Sequence, residues 1–145
     1  MFLGKAVAKM KELVVIAGSE SDISFVEPAL KLAEELGIDT EFVVYSAHRN
    51  LEDLLNYLGE IEKSGKTKII IAVAGLAAAL PGVVAARVNL PVIGVPRDTG
   101  PLNGMDALLS IAQMPKGVPV ATMAIGMHGM LNSVNFAHRI LKQIK

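Results

Sequence analysis

Short, wholly apolar runs alternate along this chain with longer segments in which apolar residues return every three or four positions, and that alternation predicts its elements. Leu13 to Ala17 (LVVIA) reads as a first strand. After the turn Gly18-Ser19-Glu20-Ser21-Asp22, residues Val26, Leu30, Ala33 and Leu36 keep helical spacing, with Gly37 as the stop. Thr40 to Ser46 (TEFVVYS) is β-prone and predicts the second strand. Asn50 is placed to cap a helix whose Leu51, Leu54, Leu55, Leu58 and Ile61 form one stripe, and Gly65 ends it. Lys68 to Val73 predicts the third strand, a helix from about Ala77 reaches Arg87, and Pro91 to Val95 supplies a fourth strand entered through its proline. A loop rich in Gly, Pro and Asn over 96–103 leads into a short helix from Gly104 to about Gln113. Val120 to Ile125 then predicts the fifth strand and 131–144 the last helix. Strands this apolar, alternating with helices, imply a central parallel sheet covered on both faces, an α/β three-layer sandwich of Rossmann-like build with a flavodoxin-like strand order.

One run tests that reading. Ile69 to Ala86 carries no charge and approaches the roughly 20 residues of a membrane span. Gly75, Pro81 and Gly82 interrupt it, and it divides into a β-branched strand followed by an alanine-rich helix, so no membrane partner is expected.

Composition narrows the picture further. With 145 residues, 52% of them hydrophobic, the chain fits one domain over 1–145 with a well-formed core. Fourteen basic residues balance fourteen acidic ones, which argues against a general affinity for nucleic acid. The absence of cysteine excludes disulfides, thiolate catalysis and cysteine-ligated metal, and suits a cytoplasmic protein. The opening MFLGKAVAKMKE is too short and too broken by lysine for a signal peptide, and is read as an N-terminal extension over 1–12.

Three predicted strand ends carry the candidate chemistry. Tyr45-Ser46-Ala47-His48-Arg49 gathers a hydroxyl, an imidazole and a guanidinium between a buried strand and a helix start. Loops there face the ligand side of an open α/β sheet, where helix N-termini offer free N–H groups to anions. Gly18 to Asp22 combines small residues, two hydroxyls and a helix start, a reasonable phosphate cradle; Asp22 suits either a helix cap or a sugar diol. Ala74 to Gly82 holds glycine and alanines that admit a flat ligand close to the backbone or, equally, a helix tight against the sheet.

Taken together, Gly18 to Asp22, Ser46 to Arg49, Ala74 to Gly82, Leu90 to Pro96 and the block Asp106 to Thr122 (DALLSIAQMPKGVPVAT) closely resemble the PurE family, in the same order and over nearly the whole span 13–141. The resemblance implies an N5-carboxyaminoimidazole ribonucleotide mutase of purine biosynthesis, an isomerase that moves a carboxyl group from an exocyclic nitrogen to ring carbon 4 without metal or organic cofactor. By matching positions it implies that Ser19, Asp22 and Arg49 hold the ribose phosphate part, with Ser21, Ser46 and Ala47 nearby, and that His48 shuttles the proton. It further implies that Gly75, Ala77 and Ala78 confine released carbon dioxide beside the ring, and that the protein assembles as a homo-octamer. Residue chemistry is compatible: arginine gives planar donors to phosphate, and an imidazole of ordinary pKa about 6.5 both gives and takes a proton near neutrality. The Ser46 to Arg49 motif favours the mutase over the carboxylase branch, which takes aminoimidazole ribonucleotide and carbon dioxide directly. Alanine at 79 departs from the family pattern AAHLPG, where a second histidine stands, and a binding protein impaired in turnover is the remaining alternative. The charged pair Arg97-Asp98 also departs from the neutral residues expected there, and Arg97 is read as a solvated loop charge, with contact to substrate as the alternative. A C-terminal arm used by longer relatives for assembly is expected to be missing after Lys145.

The other two histidines read as structural: His138 in line with Leu131, Val134 and Leu141 on the last helix, His128 ahead of it without a companion. Three scattered histidines define no metal site, and the seven methionines read as core or interface filler.

Overall fold

In the computed structural model, which describes residues 10–145, five parallel strands form one sheet in the order β2-β1-β3-β4-β5. The predicted N-terminal extension lies, over 1–9, outside the described residues. The strands are β1 (Leu13–Ala17), β2 (Thr40–Val44), β3 (Ile69–Ala74), β4 (Val92–Pro96) and β5 (Ala121–Thr122). Between them run α1 (Ile23–Glu35), preceded by a single 3-10 turn over Glu20–Asp22, then α2 (Leu51–Ser64), α3 (Leu80–Arg87) and α4 (Met105–Ala112). Helix α5 (Met127–Ile144) closes the chain. This is the flavodoxin-like order expected above; the alternation of strands and helices by itself implied only that the sheet is parallel.

The two faces of the sheet account for the continuous apolar runs. Every residue of β1 and β3 is buried, because alternate side chains enter opposite cores. Leu13, Val15, Ile71 and Val73 pack with α1 and α5; Val14, Ile16, Ile70 and Ala72 pack with α2, α3 and α4. Gly94 in β4 is glycine for a packing reason, since a Cβ there would collide with Ile111 Cγ2 of α4.

Four boundaries differ from the sequence reading by two residues or more, and several others by one. Strand β2 stops at Val44, two residues early, and the turn follows over Ala47 to Arg49. Helix α3 begins at Leu80 instead of near Ala77, because Leu76 takes a left-handed φ of 57° and the alanines after it belong to the loop. Strand β5 keeps only Ala121–Thr122 of the predicted six residues, at the sheet edge. Helix α5 starts at Met127, so His128 lies in its first turn and not ahead of it. The uncharged run from Ile69 to Ala86 is divided between β3, a loop and α3, and no helix among the described residues is long and apolar enough to cross a membrane.

Candidate functional site

Register brings the carboxyl ends of the central strands level: Ala17 lies between Val44 of β2 and Val73 of β3, and Ala74 lies beside Pro96 of β4. The Gly18–Asp22 turn therefore sits between the Ser46–Arg49 loop and the Gly75–Ala79 loop. The three segments singled out in sequence become neighbours at the switch point of the sheet, where connections leave in opposite directions.

The first turn is built by a reciprocal cap. Ser19 Oγ accepts from the Ser21 N–H at 3.3 Å, and Asp22 Oδ2 accepts from the Ser19 N–H at 3.1 Å. The Ser19 and Ser21 hydroxyls lie 3.0 Å apart; Ser19 is half-buried, Ser21 exposed and Asp22 buried.

The second loop is closed on itself. Asn50 stands at the N-cap position of α2, but its Oδ1 accepts from the Ser46 N–H at 2.7 Å and caps nothing, against the expected role. Ser46 Oγ accepts from the N–H groups of both His48 and Arg49 at 3.2 Å each. With those lone pairs occupied, the Ser46 hydroxyl hydrogen is the part left for a ligand. His48 and Arg49 project into solvent, while Ser46 and Ala47 are half-buried. Replacing Asn50 with alanine is expected to lower stability by about 1 kcal/mol, seen as a melting temperature lower by roughly 3 °C.

Behind this loop Tyr45 packs on Tyr57 with ring centroids 5.1 Å apart, and the Tyr57 hydroxyl donates to Glu41 Oε2 at 2.9 Å. Burial first, and the Glu41 carboxylate second, push the Tyr57 phenol far above its usual range. Burial, then the Asp53 carboxylate, raise the Tyr45 phenol as well. Both rings stay protonated near neutrality and brace the loop from below.

In the third loop Ala77 is exposed and Ala78 turns its methyl group into the core. Gly75 is bare for a reason other than ligand approach: a Cβ there would lie 2.5 Å from Thr99 Oγ1 and 3.3 Å from Arg97 Cβ. The loop after β4 thus crosses the end of β3. Ala79 occupies the N-cap position of α3 without a side-chain cap; its own N–H donates to the Ala77 carbonyl at 2.8 Å, and Pro81 in the first turn has no N–H to offer.

Arg97 is the residue that the sequence reading misplaced. Its guanidinium is not solvated: Nη1 lies 2.7 Å from Asp22 Oδ1, Cζ stands 4.6 Å above the centre of the Phe25 ring, and the side chain is only 19% exposed. Arg97 Nε is buried without a hydrogen-bond partner among the described residues. Asp22 and Arg97 are 75 positions apart, and only the adjacency of β1, β3 and β4 brings them together. The one sequence signal was a charged residue directly after a buried strand.

Fold and site together define a doubly wound α/β domain whose chemistry-bearing side chains collect at the carboxyl edge of its sheet. Residues 12–145 match the AIR carboxylase family, and the chain belongs to it. It is 51% identical over 132 residues to an N5-carboxyaminoimidazole ribonucleotide mutase of Saccharolobus solfataricus, covering 91% of this chain and 82% of that one. To the mutase of Thermotoga maritima it is 50% identical over 116 residues, covering 80% of this chain and 67% of the other. Among solved structures, a singly substituted Treponema denticola PurE2 superposes with a TM-score of 0.83 at 26% identity, over 92% of this chain and 80% of that one.

Proposed function

We propose that this protein is an N5-carboxyaminoimidazole ribonucleotide mutase of purine biosynthesis, with His48 as the acid and base. The feature that supports this most is the sheet order, which sets the Ser19 turn between the His48 loop and the Gly75 loop. In this reading one small ligand at that edge lies against all three.

In this reading the phosphate is held by the Arg49 guanidinium with the Ser19, Ser21 and Ser46 hydroxyls, and Asp22 accepts from the ribose. Imidazolium at His48 gives its proton to the exocyclic nitrogen as the bond from that nitrogen to the carboxyl carbon breaks, releasing carbon dioxide. Carbon 4 then attacks the carbon dioxide, a carbon–carbon bond forms, and the hydrogen of carbon 4 returns to His48 as a proton. Atoms and charge balance, and the ring is restored. Recapture depends on position: carbon dioxide kept beside the ring against the backbone of the 75–78 loop reacts at a high effective concentration. No step asks for a metal or an organic cofactor.

We place the protein in the cytoplasm, acting on a small nucleotide and not on nucleic acid or membrane, as a homo-oligomer with the octamer of the PurE resemblance as the expected number. Exposed Leu76, Leu102, Met105 and Leu109 around the same edge support assembly. Ala79 keeps a second reading open, a nucleotide-binding protein impaired in turnover, because the position offers no side-chain donor to the carboxylate.

The test gives the purified protein the carbamate nucleotide and follows formation of the carbon-carboxylated product. Conversion faster than spontaneous decay supports the mutase. Conversion only from aminoimidazole ribonucleotide with carbon dioxide supports the carboxylase branch, and binding without either supports the second reading. Ala79→His is expected to raise turnover roughly tenfold, the weight of one added hydrogen bond in the transition state.

A further inference from the structure

We propose that Arg97 is the positioning residue that fixes the Asp22 carboxylate for the ribose hydroxyls, a role that rests on the mutase reading above. Three observations carry it. The guanidinium approaches Asp22 Oδ1 at 2.7 Å while Oδ2 takes the Ser19 N–H, so the carboxylate is gripped at both oxygens by groups from two different loops. Each oxygen retains a lone pair, and the direction of those lone pairs is set by the grip. The guanidinium is itself oriented by the Phe25 ring beneath it, 4.6 Å from Cζ.

The path of the side chain argues that this pairing is built in. Arg97 leaves β4, whose last residue lies level with Ala74, and passes Gly75, where any side chain would meet Arg97 Cβ and Thr99 Oγ1. The Arg97 N–H donates to the Ala74 carbonyl at 2.9 Å, anchoring the start of that path. Arg97 thereby spans the end of β3 and ties the first strand-end loop to the fourth. Lysine cannot substitute fully, since a point charge neither stacks on Phe25 nor fixes the plane of the carboxylate.

A purely structural strap and a positioning residue differ in what their loss does to kinetics. Arg97→Met, which keeps the stem over Phe25, is expected to raise both KM for the carbamate nucleotide and Kd for 5-aminoimidazole ribonucleotide about tenfold, with kcat changed less than about threefold. Arg97→Lys recovers part of the loss. The double variant Arg97→Met with Asp22→Asn binds no worse than Asp22→Asn alone, because the arginine acts through that carboxylate. A folded Arg97→Met or Arg97→Lys protein with unchanged KM and Kd overturns the proposal, as does a loss confined to kcat or a double variant whose losses are additive. If Arg97→Met does not fold, Arg97→Lys decides. Wild-type protein that binds 5-aminoimidazole ribonucleotide without converting the carbamate form defeats the mutase reading alone, and the Kd series still judges Arg97. Wild-type protein that neither binds nor converts overturns both.

Discussion

Replacing His48 with asparagine lowers kcat by about 10²- to 10⁴-fold and leaves the melting temperature unchanged, if the imidazole carries the proton in both halves of the reaction. The separation of the two effects follows from the geometry. His48 is exposed, and the hydrogen bond at this residue runs from its backbone N–H to Ser46 Oγ, so asparagine keeps the loop intact. Nucleotide affinity is expected to stay within a few-fold, since the proposed function gives the gripping to Arg49 and the serine turn. A steady-state assay paired with thermal denaturation measures both quantities. Turnover equal to wild type would remove His48 from the mechanism.

The second large effect is on folding. Gly129 lies buried in the first turns of α5, and a Cβ built there would fall on the Ala124 carbonyl oxygen. That carbonyl cannot retreat freely, because the segment is held to β4 by the Met123 N–H on Gly94 and the Gly126 N–H on Pro96, each at 2.9 Å. Gly129→Ala must push the helix off the sheet or break those bonds. We expect a loss of about 3 kcal/mol, a melting temperature lower by roughly 10 °C. Urea denaturation gives the free energy directly, and a loss under about 1 kcal/mol would contradict the packing.

Gly129 also shows why the sequence misplaced the last helix. The expected helix begins at Leu131, after two glycines of low helix propensity, Gly126 and Gly129. In the fold, Gly129 is the residue that allows the helix to approach Ala124 closely, and the helix begins at Met127. Alanine-rich 77–79 failed in the opposite sense. Its helix propensity is real, but the loop after β4 occupies the space beside Gly75, the chain turns through Leu76 at positive φ, and helix begins only at Leu80. Tertiary packing outweighed local preference in both places. Strand β1 was legible residue for residue, because a buried run bounded by Glu12 and Gly18 admits little else.

The site divides along the same line. Each strand-end segment could be found from local residue types, and the alternation of elements implied a parallel sheet without fixing the order of its strands. The pairing of Arg97 with Asp22 was not local, and nothing near position 97 signals that its charge is covered by Phe25. Asn50 likewise had the right identity for a cap and a different partner, the Ser46 N–H. Residue type marked where polar groups concentrate; only the crossing of the fourth loop over the third strand decided which of them meet.

The two-residue β5 has a consequence for association between molecules. So brief an outer strand offers a foreign backbone almost no row of free amides and carbonyls to zip against, which guards that flank against runaway stacking. Copies of this protein that meet along that flank must therefore do so through side chains on helices and loops, whereas the opposite border of the sheet, β2, is the longer strand.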